Sequence, residues 1–471
     1  MQKKLTRLAL LLVASVTLAA VQTYAAGPML LANGTLTGSS AGYYTDLSGL
    51  KGTMENGVAK TLLGGSGSGL AWAWGSTFIA VPDRGPNAVS YDSLIDDTVT
   101  YIPRFHTITM DLEPNQYRAL SLAPSLPFTL TPTLQSTTLL WSYDPLTYGT
   151  GDGLGVGPGA PSENGPNLYY FSGRSDNFNP KTTSGDTMDA RFDLESVRVS
   201  SNGRSLYLSD EYGPYVYEFD RATGRRLRTF TLPPHMFVAN KYPTGAAEIS
   251  GNTSGRTANK GMEGLAITPD GRMLVGMLQA ATIQDNALGG AGKKVLRFVT
   301  IDIASGVTTH EYAYNLTTGS GVSDIVALND HEFLVDERDG SGLGNGDSAK
   351  VKQVFKIDIT NAVDVTNMNG LDAAKNAVAK TLFLDIVQVL NANGITSDKI
   401  PAKLEGFALA GDVSYNGKTY HTLWVANDND FLQDYGNQQN SNPNQFYVFG
   451  FTDDDLGGSK YVPQVPMVAR P

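Results

Sequence analysis

The chain has 471 residues, 51 of them glycine and none cysteine, a hydrophobic fraction of 41% and a formal net charge of −11. Without cysteine there is no disulfide framework, no thiol nucleophile and no thiolate metal site, so any metal must be held by oxygen or imidazole. The acidic balance argues against nucleic acid and anionic membrane surfaces as partners and suits a hard cation.

At the N-terminus, Lys3, Lys4 and Arg7 precede an apolar run from Leu8 to Val21, followed by small residues at Thr23, Ala25 and Ala26. The run is short for a membrane span and has the layout of a cleavable signal peptide. Residues 1–26 are therefore expected to be a leader and residues 27–471 one exported domain, secreted or periplasmic. A chain of this size can bury enough apolar surface to fold without disulfides.

A degenerate repeat follows, in which a small or acidic residue opens an apolar strand, the chain turns, and a second strand returns to end in polar groups. Five copies are legible: Ser68 to Asp83 and Arg84, Glu195 to Asp210 and Glu211, Glu263 to Gln279, Asp324 to Asp336 and Glu337, and Glu405 to Asn427 and Asp428. Turn residues separate the strands, as in Ser201-Asn202-Gly203-Arg204, Pro269-Asp270-Gly271-Arg272 and Asn416-Gly417. Several copies continue into a second hairpin, such as Val216 to Leu232 around Arg221-Ala222-Thr223-Gly224. Two hairpins make a four-stranded propeller blade. The expected fold is an all-β propeller of six blades, with five to seven admissible and a weak blade sought between Leu139 and Phe171. One helical insertion is expected from Leu371 to Leu390, where apolar residues recur at helical spacing.

In a hairpin, the first residue of the leading strand and the last of the returning strand share one sheet edge. On innermost strands this brings Ser68 and Asp83, Glu195 with Asp210 and Glu211, Glu263, Asp324 with Asp336 and Glu337, and Glu405 with Asp428 and Asp430 to one mouth of a central channel. So many carboxylates cannot all ionise without a cation among them. Calcium, which takes about six to eight oxygen ligands at flexible geometry, answers this, with Asp83, Asp210, Glu263, Asp324, Asp336, Glu405 and Asp428 as expected ligands and the Asn427 and Asn429 amides beside them. Arg84, Arg174, Lys260 and Arg338 are expected to bind an anionic substrate.

Other chemistries lack their signatures. The histidines His106, His235, His310, His331 and His421 show no zinc spacing, and there is no Gly-x-Ser-x-Gly elbow or phosphate-cradling Gly-x-x-x-x-Gly-Lys-Ser. His106 is the histidine placed nearest Asp83 and Arg84 in sequence, and a half-buried strand position explains it as well.

The segments Asp83-Arg-Gly-Pro-Asn-Ala, Asp193-Leu-Glu-Ser-Val, Ser209-Asp-Glu-Tyr-Gly-Pro-Tyr-Val-Tyr-Glu-Phe-Asp, Asn259-Lys-Gly-Met-Glu-Gly-Leu-Ala, and Glu405-Gly-Phe-Ala with Val425-Ala-Asn-Asp-Asn-Asp-Phe together resemble the phytase-like (esterase-like activity of phytase) family. The resemblance extends from about Gly64 to Phe449 and implies a propeller with acidic functional residues and phosphoesterase activity. The Glu-Gly and Asn-Asp pairs are also similar to those of the calcium-bearing gluconolactonase and paraoxonase propellers.

The expected function is calcium-dependent hydrolysis of phosphoric esters, with Glu195, Glu211 and Glu263 as catalytic carboxylates and a small phosphorylated or ester molecule as substrate. A monomer without nucleic-acid or membrane partners is expected. Two alternatives use the same architecture: a calcium-dependent lactonase or carboxylic esterase, and a non-catalytic ligand-binding propeller.

Overall fold

The computed structural model describes residues 27–464 and 466, apart from 89–97, 117–124, 151–155, 158, 177, 180, 214, 243 and 432–441. The leader expected at residues 1–26 lies outside the described residues. Five four-stranded antiparallel sheets form the blades of a propeller. Their innermost strands are Gly69–Trp74, Leu194–Val199, Met262–Ile267, Gly321–Ala327 and Leu404–Tyr415, and each touches the next until the fifth meets the first.

Closure comes from the ends of the chain. In blade 5 the strands Leu404–Tyr415, Lys418–Asn427 and Asn444–Phe451 are completed on the outside by Met29–Leu36, the first described strand. Pairing early residues with late ones ties the ring shut and leaves only short protected edges. Apolar side chains fill each seam: Val322, Ile325, Phe333 and Val335 of blade 4 pack with Val275 and Met277 of blade 3. On the other face, Leu334 packs with Leu404, Phe407 and Leu423 of blade 5. This is the period-two alternation of a strand buried on both faces.

Two sequence expectations change. Five blades are present among the described residues, within the expected range, and the described residues between Leu139 and Phe171 form a two-residue ribbon, Trp141–Ser142 against Tyr169–Tyr170, in place of a blade. Its Gly- and Pro-rich centre lacks the alternation a blade needs. The expected helix from Leu371 to Leu390 is two short helices, Gly370–Lys375 and Ile386–Ala392, separated by the strand Lys380–Asp385 that forms the outer edge of blade 4. The β-prone run Thr381-Leu382-Phe383-Leu384 overrides the helical spacing, and Asp385 caps the second helix by accepting from the Gln388 N–H at 2.9 Å.

Candidate metal and substrate site at the channel mouth

Four of the five inner strands slip register where they enter the channel, between Leu194 and Val197, Met262 and Gly264, Val322 and Ile325, and Leu404 and Gly406. Such bulges re-aim a side chain out of the ladder. In register, the bulged position carries Glu195, Glu263, Ser323 and Glu405, with Ser68 at the corresponding place before blade 1. The returning strands exit at Asp83, Glu211, Gln279, Arg338 and Asp428. Except for Ser68 and Asp428, these groups line a cavity of about 310 Å³, together with Arg84, Asn259, Lys260 and Lys403. The opposite end of the channel is largely apolar and is crossed by Tyr461 and Gln464, whose side-chain amide donates to the Val199 carbonyl at 3.0 Å.

Asp324 is the correction within the expected ring. The register puts Ser323 at the mouth and Asp324 one layer deeper, level with Gly69, Ser196, Gly264 and Gly406. There its carboxylate accepts from Ser196 Oγ at 3.0 Å, Arg198 Nη2 at 2.7 Å, and the backbone N–H of Ile325 at 2.8 Å and of Phe407 at 2.9 Å. It is a hub joining inner strands, with no open coordination position toward the cavity. Glycine is needed beside it because the strands converge: a Cβ on Gly69 would lie 2.8 Å from the Glu195 carbonyl oxygen, and one on Gly406 would lie 2.9 Å from that of Gly67.

Other expected site residues also sit away from the cavity. Asp210 accepts from the N–H groups of Asp193, Tyr212 and Gly213 at 3.0–3.1 Å, capping the turn that leaves blade 2, and burial pushes its carboxyl up to about 7. Arg174 is buried against Asp176, with Nε at 2.5 Å, and also meets Glu55 at 3.3 Å. Asp336 is buried in the seam between blades 4 and 5. Glu337 faces the other way, held by Lys380, by Tyr314 at 2.7 Å and by the N–H groups of residues 317–319. His106 is a buried strand residue between Thr137 Oγ1 at 3.0 Å and the Leu63 carbonyl at 3.2 Å, and burial drives its pKa down to about 4.

Two groups of carboxylates adjoin the cavity, which Glu195 and Glu211 of one and Asp83 of the other line. In each, ligand oxygens lie within 4.8 Å of one another: Asp193, Glu195 and Glu211, and Asp83, Asp428 and Asp430. Lys403 answers the second group, with Nζ 2.8 Å from Asp428 and 3.1 Å from Asp430. Burial pulls the Lys403 ammonium down, yet those two carboxylates carry it well above its usual range. Arg84 flanks the first group, 2.8 Å from Asp193 and 3.8 Å from Glu211. Arg338 pairs with Glu405 and donates to Ser323 Oγ at 2.6 Å. Lys260 is exposed at the rim, 3.4 Å from the Gln279 amide oxygen, and Gln279 in turn donates to Glu263.

Carboxylates still outnumber cations, and the electrostatics record it. Burial, then Glu263, pushes Glu195 well up, and burial, then Asp193, does the same to Glu211. Burial, then Asp428, raises Asp83 well above its usual range. Glu263 rises to about 8 through burial and the Glu405 charge, against the pull of Arg338. An all-oxygen donor set with this excess of charge fits a calcium-type cation. Beside it, Asn259 holds a left-handed backbone, φ 56°, and its buried side-chain oxygen has no hydrogen-bond partner among the described residues.

The repeat pattern did not single out Asp193 and Lys403. Each stands two residues before a mouth glutamate, so strand alternation puts it on the same face as Glu195 or Glu405. That spacing is the signal that could have found them.

Among curated proteins, an uncharacterized secreted protein of Arthroderma benhamiae is 33% identical over 143 residues, which is 27% of this chain and 27% of that relative. Among solved structures, a PQQ-bound aldose sugar dehydrogenase from Streptomyces coelicolor aligns over 80% of this chain and 76% of its own, at 11% identity and a TM-score of 0.31. Hydrazine synthase from Kuenenia stuttgartiensis aligns over 78% of each chain, at 11% identity and a TM-score of 0.30. Likenesses at these scores carry no argument. No helix among the described residues is long and apolar enough to cross a membrane. Residues 61–431, most of the chain, match the family described as "Phytase-like: Esterase-like activity of phytase", and the protein belongs to that family.

Proposed function

We propose that this chain is an exported, calcium-dependent hydrolase of phosphoric esters acting at the acidic mouth of the propeller. The observation that carries the reading is the Asp193, Glu195 and Glu211 group, whose oxygens lie within 4.8 Å of one another and whose Glu195 and Glu211 line the cavity. A divalent cation held there would supply a water of lowered pKa and neutralise phosphoryl charge. Glu263 is the general acid of this reading, because with a pKa of about 8 it carries near neutral pH the proton that a leaving group takes. Lys260 at the rim and the Arg84 guanidinium, both in the cavity lining, would hold the phosphoryl oxygens. Export rests on the leader-like N-terminus and on the relative named as secreted.

One observation favours the lactone or carboxylic ester alternative: both mouth guanidiniums already contact carboxylates, Arg84 with Asp193 and Arg338 with Glu405. A neutral ester does not need them. The deciding assay offers a chromogenic phosphomonoester, a phosphodiester and a lactone with and without a chelator. Chelator-sensitive phosphate release, lost in Glu195→Gln, supports the proposal. Lactone turnover without phosphate release moves the assignment to the alternative, and turnover of none leaves a ligand-binding propeller.

A further inference from the structure

Beyond the last strand of blade 5, Asn444–Phe451, the chain makes one helical turn, Asp453–Leu456. A capping box closes that turn, the Thr452 N–H and hydroxyl donating to the Asp455 carboxylate at 2.7 and 2.8 Å. Leu456 is buried in the core that blades 4 and 5 share, so the chain is anchored there. Gly457 and Gly458 follow with φ of 67° and 103°, and nothing lies within 4 Å of where either would carry a Cβ. Glycine adopts these angles freely, whereas any other residue would be strained by its backbone alone.

Residues 459–464 then cross the end of the channel opposite the carboxylates without joining any sheet. Blade 4 holds the start of the crossing. Lys356 Nζ donates to the Leu456 carbonyl at 2.7 Å and to Ser459 Oγ, Asn329 Nδ2 donates to the Lys460 carbonyl at 3.2 Å, and the Val462 N–H donates to the Leu328 carbonyl at 2.8 Å. The Tyr461 ring packs on blade 5, its centre 5.0 Å from that of His421 and 6.0 Å from that of Phe451. Gln464 reaches blade 2 through the Val199 carbonyl.

Under Tyr461 and Gln464 the inner strands contribute Leu70, Val199, Ile267, Val326 and Phe407, one from each blade, to a cavity of about 40 Å³. Every blade keeps its four paired strands whether or not this segment is in place. Lifting it breaks a few hydrogen bonds, most of them made by side chains of blade 4, and no ladder. Few contacts behind a flexible hinge are what let a segment open separately from the structure it covers.

We infer that residues 459–464 are a strap, hinged at Gly457 and Gly458, that docks on the completed propeller, closes the end of the channel opposite the acidic mouth and lifts from it while the blades stay folded. Docked, it joins blades 2, 4 and 5 across the axis. Lifted, it uncovers an apolar ring to which all five blades contribute. The inference makes no use of a metal or of the proposed reaction.

The chain has no cysteine, so one introduced thiol reports on one place. Ala408, 3% exposed, lines the cavity under the strap, and Ala313 is buried on the outer strand of blade 3. Each is replaced by Cys in the full-length chain, alone and together with Gln464→Ala or Gly458→Ala, and labelling by a chromogenic disulfide reagent is followed in native buffer. Labelling of Ala408→Cys should quicken about fivefold when Gln464→Ala removes one hydrogen bond, and about tenfold when Gly458→Ala strains the docked backbone. Labelling of Ala313→Cys should keep its rate. In the wild type, hydrogen exchange read by mass spectrometry should show residues 457–464 exchanging ahead of the strand Lys418–Asn427, a measurement that stands if a thiol variant folds poorly. An Ala408→Cys rate indifferent to both substitutions would overturn the inference by showing that the strap does not guard this cavity. An Ala313→Cys rate that rises in step, or a tail that exchanges only together with the blade strands, would overturn it by showing that the strap opens only when the blades unfold.

Discussion

Asp193 holds Arg84 at two points, one carboxylate oxygen 2.8 Å from the guanidinium Nη1 and the other 3.1 Å from the backbone nitrogen. The residue that fixes the exit of blade 1 is thereby also a member of the blade 2 carboxylate group beside Glu195 and Glu211. On the proposed function, a cation entering that group would draw on the carboxylate that restrains Arg84, which would couple cation binding to the orientation of the guanidinium.

Calcium should raise the melting temperature, since a ligand bound only by the native state stabilises it by about 2.7 kcal/mol at a hundredfold excess over its Kd. Glu195→Gln should shrink that shift severalfold. Lys403→Met should lower stability in chelator and enlarge the calcium shift, because it leaves Asp428 and Asp430 without their ammonium. Differential scanning fluorimetry across a calcium titration checks all three, and an unmoved wild-type transition would remove the metal from the account.

The stability of the chelated protein should depend on pH through Glu263. Its folded-state pKa of about 8 lies above the ordinary carboxylate value of 4.5. The stability tied to its proton is full below the ordinary value and is lost as pH rises through about 8. Wild type should therefore lose ground to Glu263→Gln between these values and run parallel to it above them. Melting curves in chelator at one-unit pH steps give the comparison.

Replacing the central hub should cost stability without touching the cavity wall. Asp324→Ala leaves Arg198 buried without its carboxylate and removes the acceptor for the Ile325 and Phe407 N–H groups. A loss of about 3 kcal/mol or more in urea denaturation is expected. Asp324→Asn should fall between that variant and wild type, because an amide oxygen keeps part of the acceptor role.

Close approach of the inner strands makes Gly406→Ala unfavourable by about 1–3 kcal/mol, because its Cβ would lie 2.9 Å from the Gly67 carbonyl oxygen and 3.0 Å from the Leu70 nitrogen. Gly417→Ala, in a turn with φ 75° and open space around it, meets no such contact, so its cost comes from the backbone alone. Urea midpoints for the two variants separate crowding from conformational strain.

The all-β repeat, its hairpin turns and the gathering of Glu195, Glu263 and Glu405 were legible in the sequence, because strand alternation and turn chemistry are local and recur with every blade. Reading Asp324 as their fourth partner was off by one residue. A bulge inserts that single residue, and with a period of two one step changes where a side chain points. Only the register separates Ser323 at the mouth from Asp324 at the hub. The number of blades, the closure of blade 5 by Met29–Leu36, and the choice of Lys403 for one carboxylate group and Arg84 for the other all depend on groups distant in sequence. Tertiary structure decided these, since burial and charge around a carboxylate are set by which strands the closed ring brings beside it.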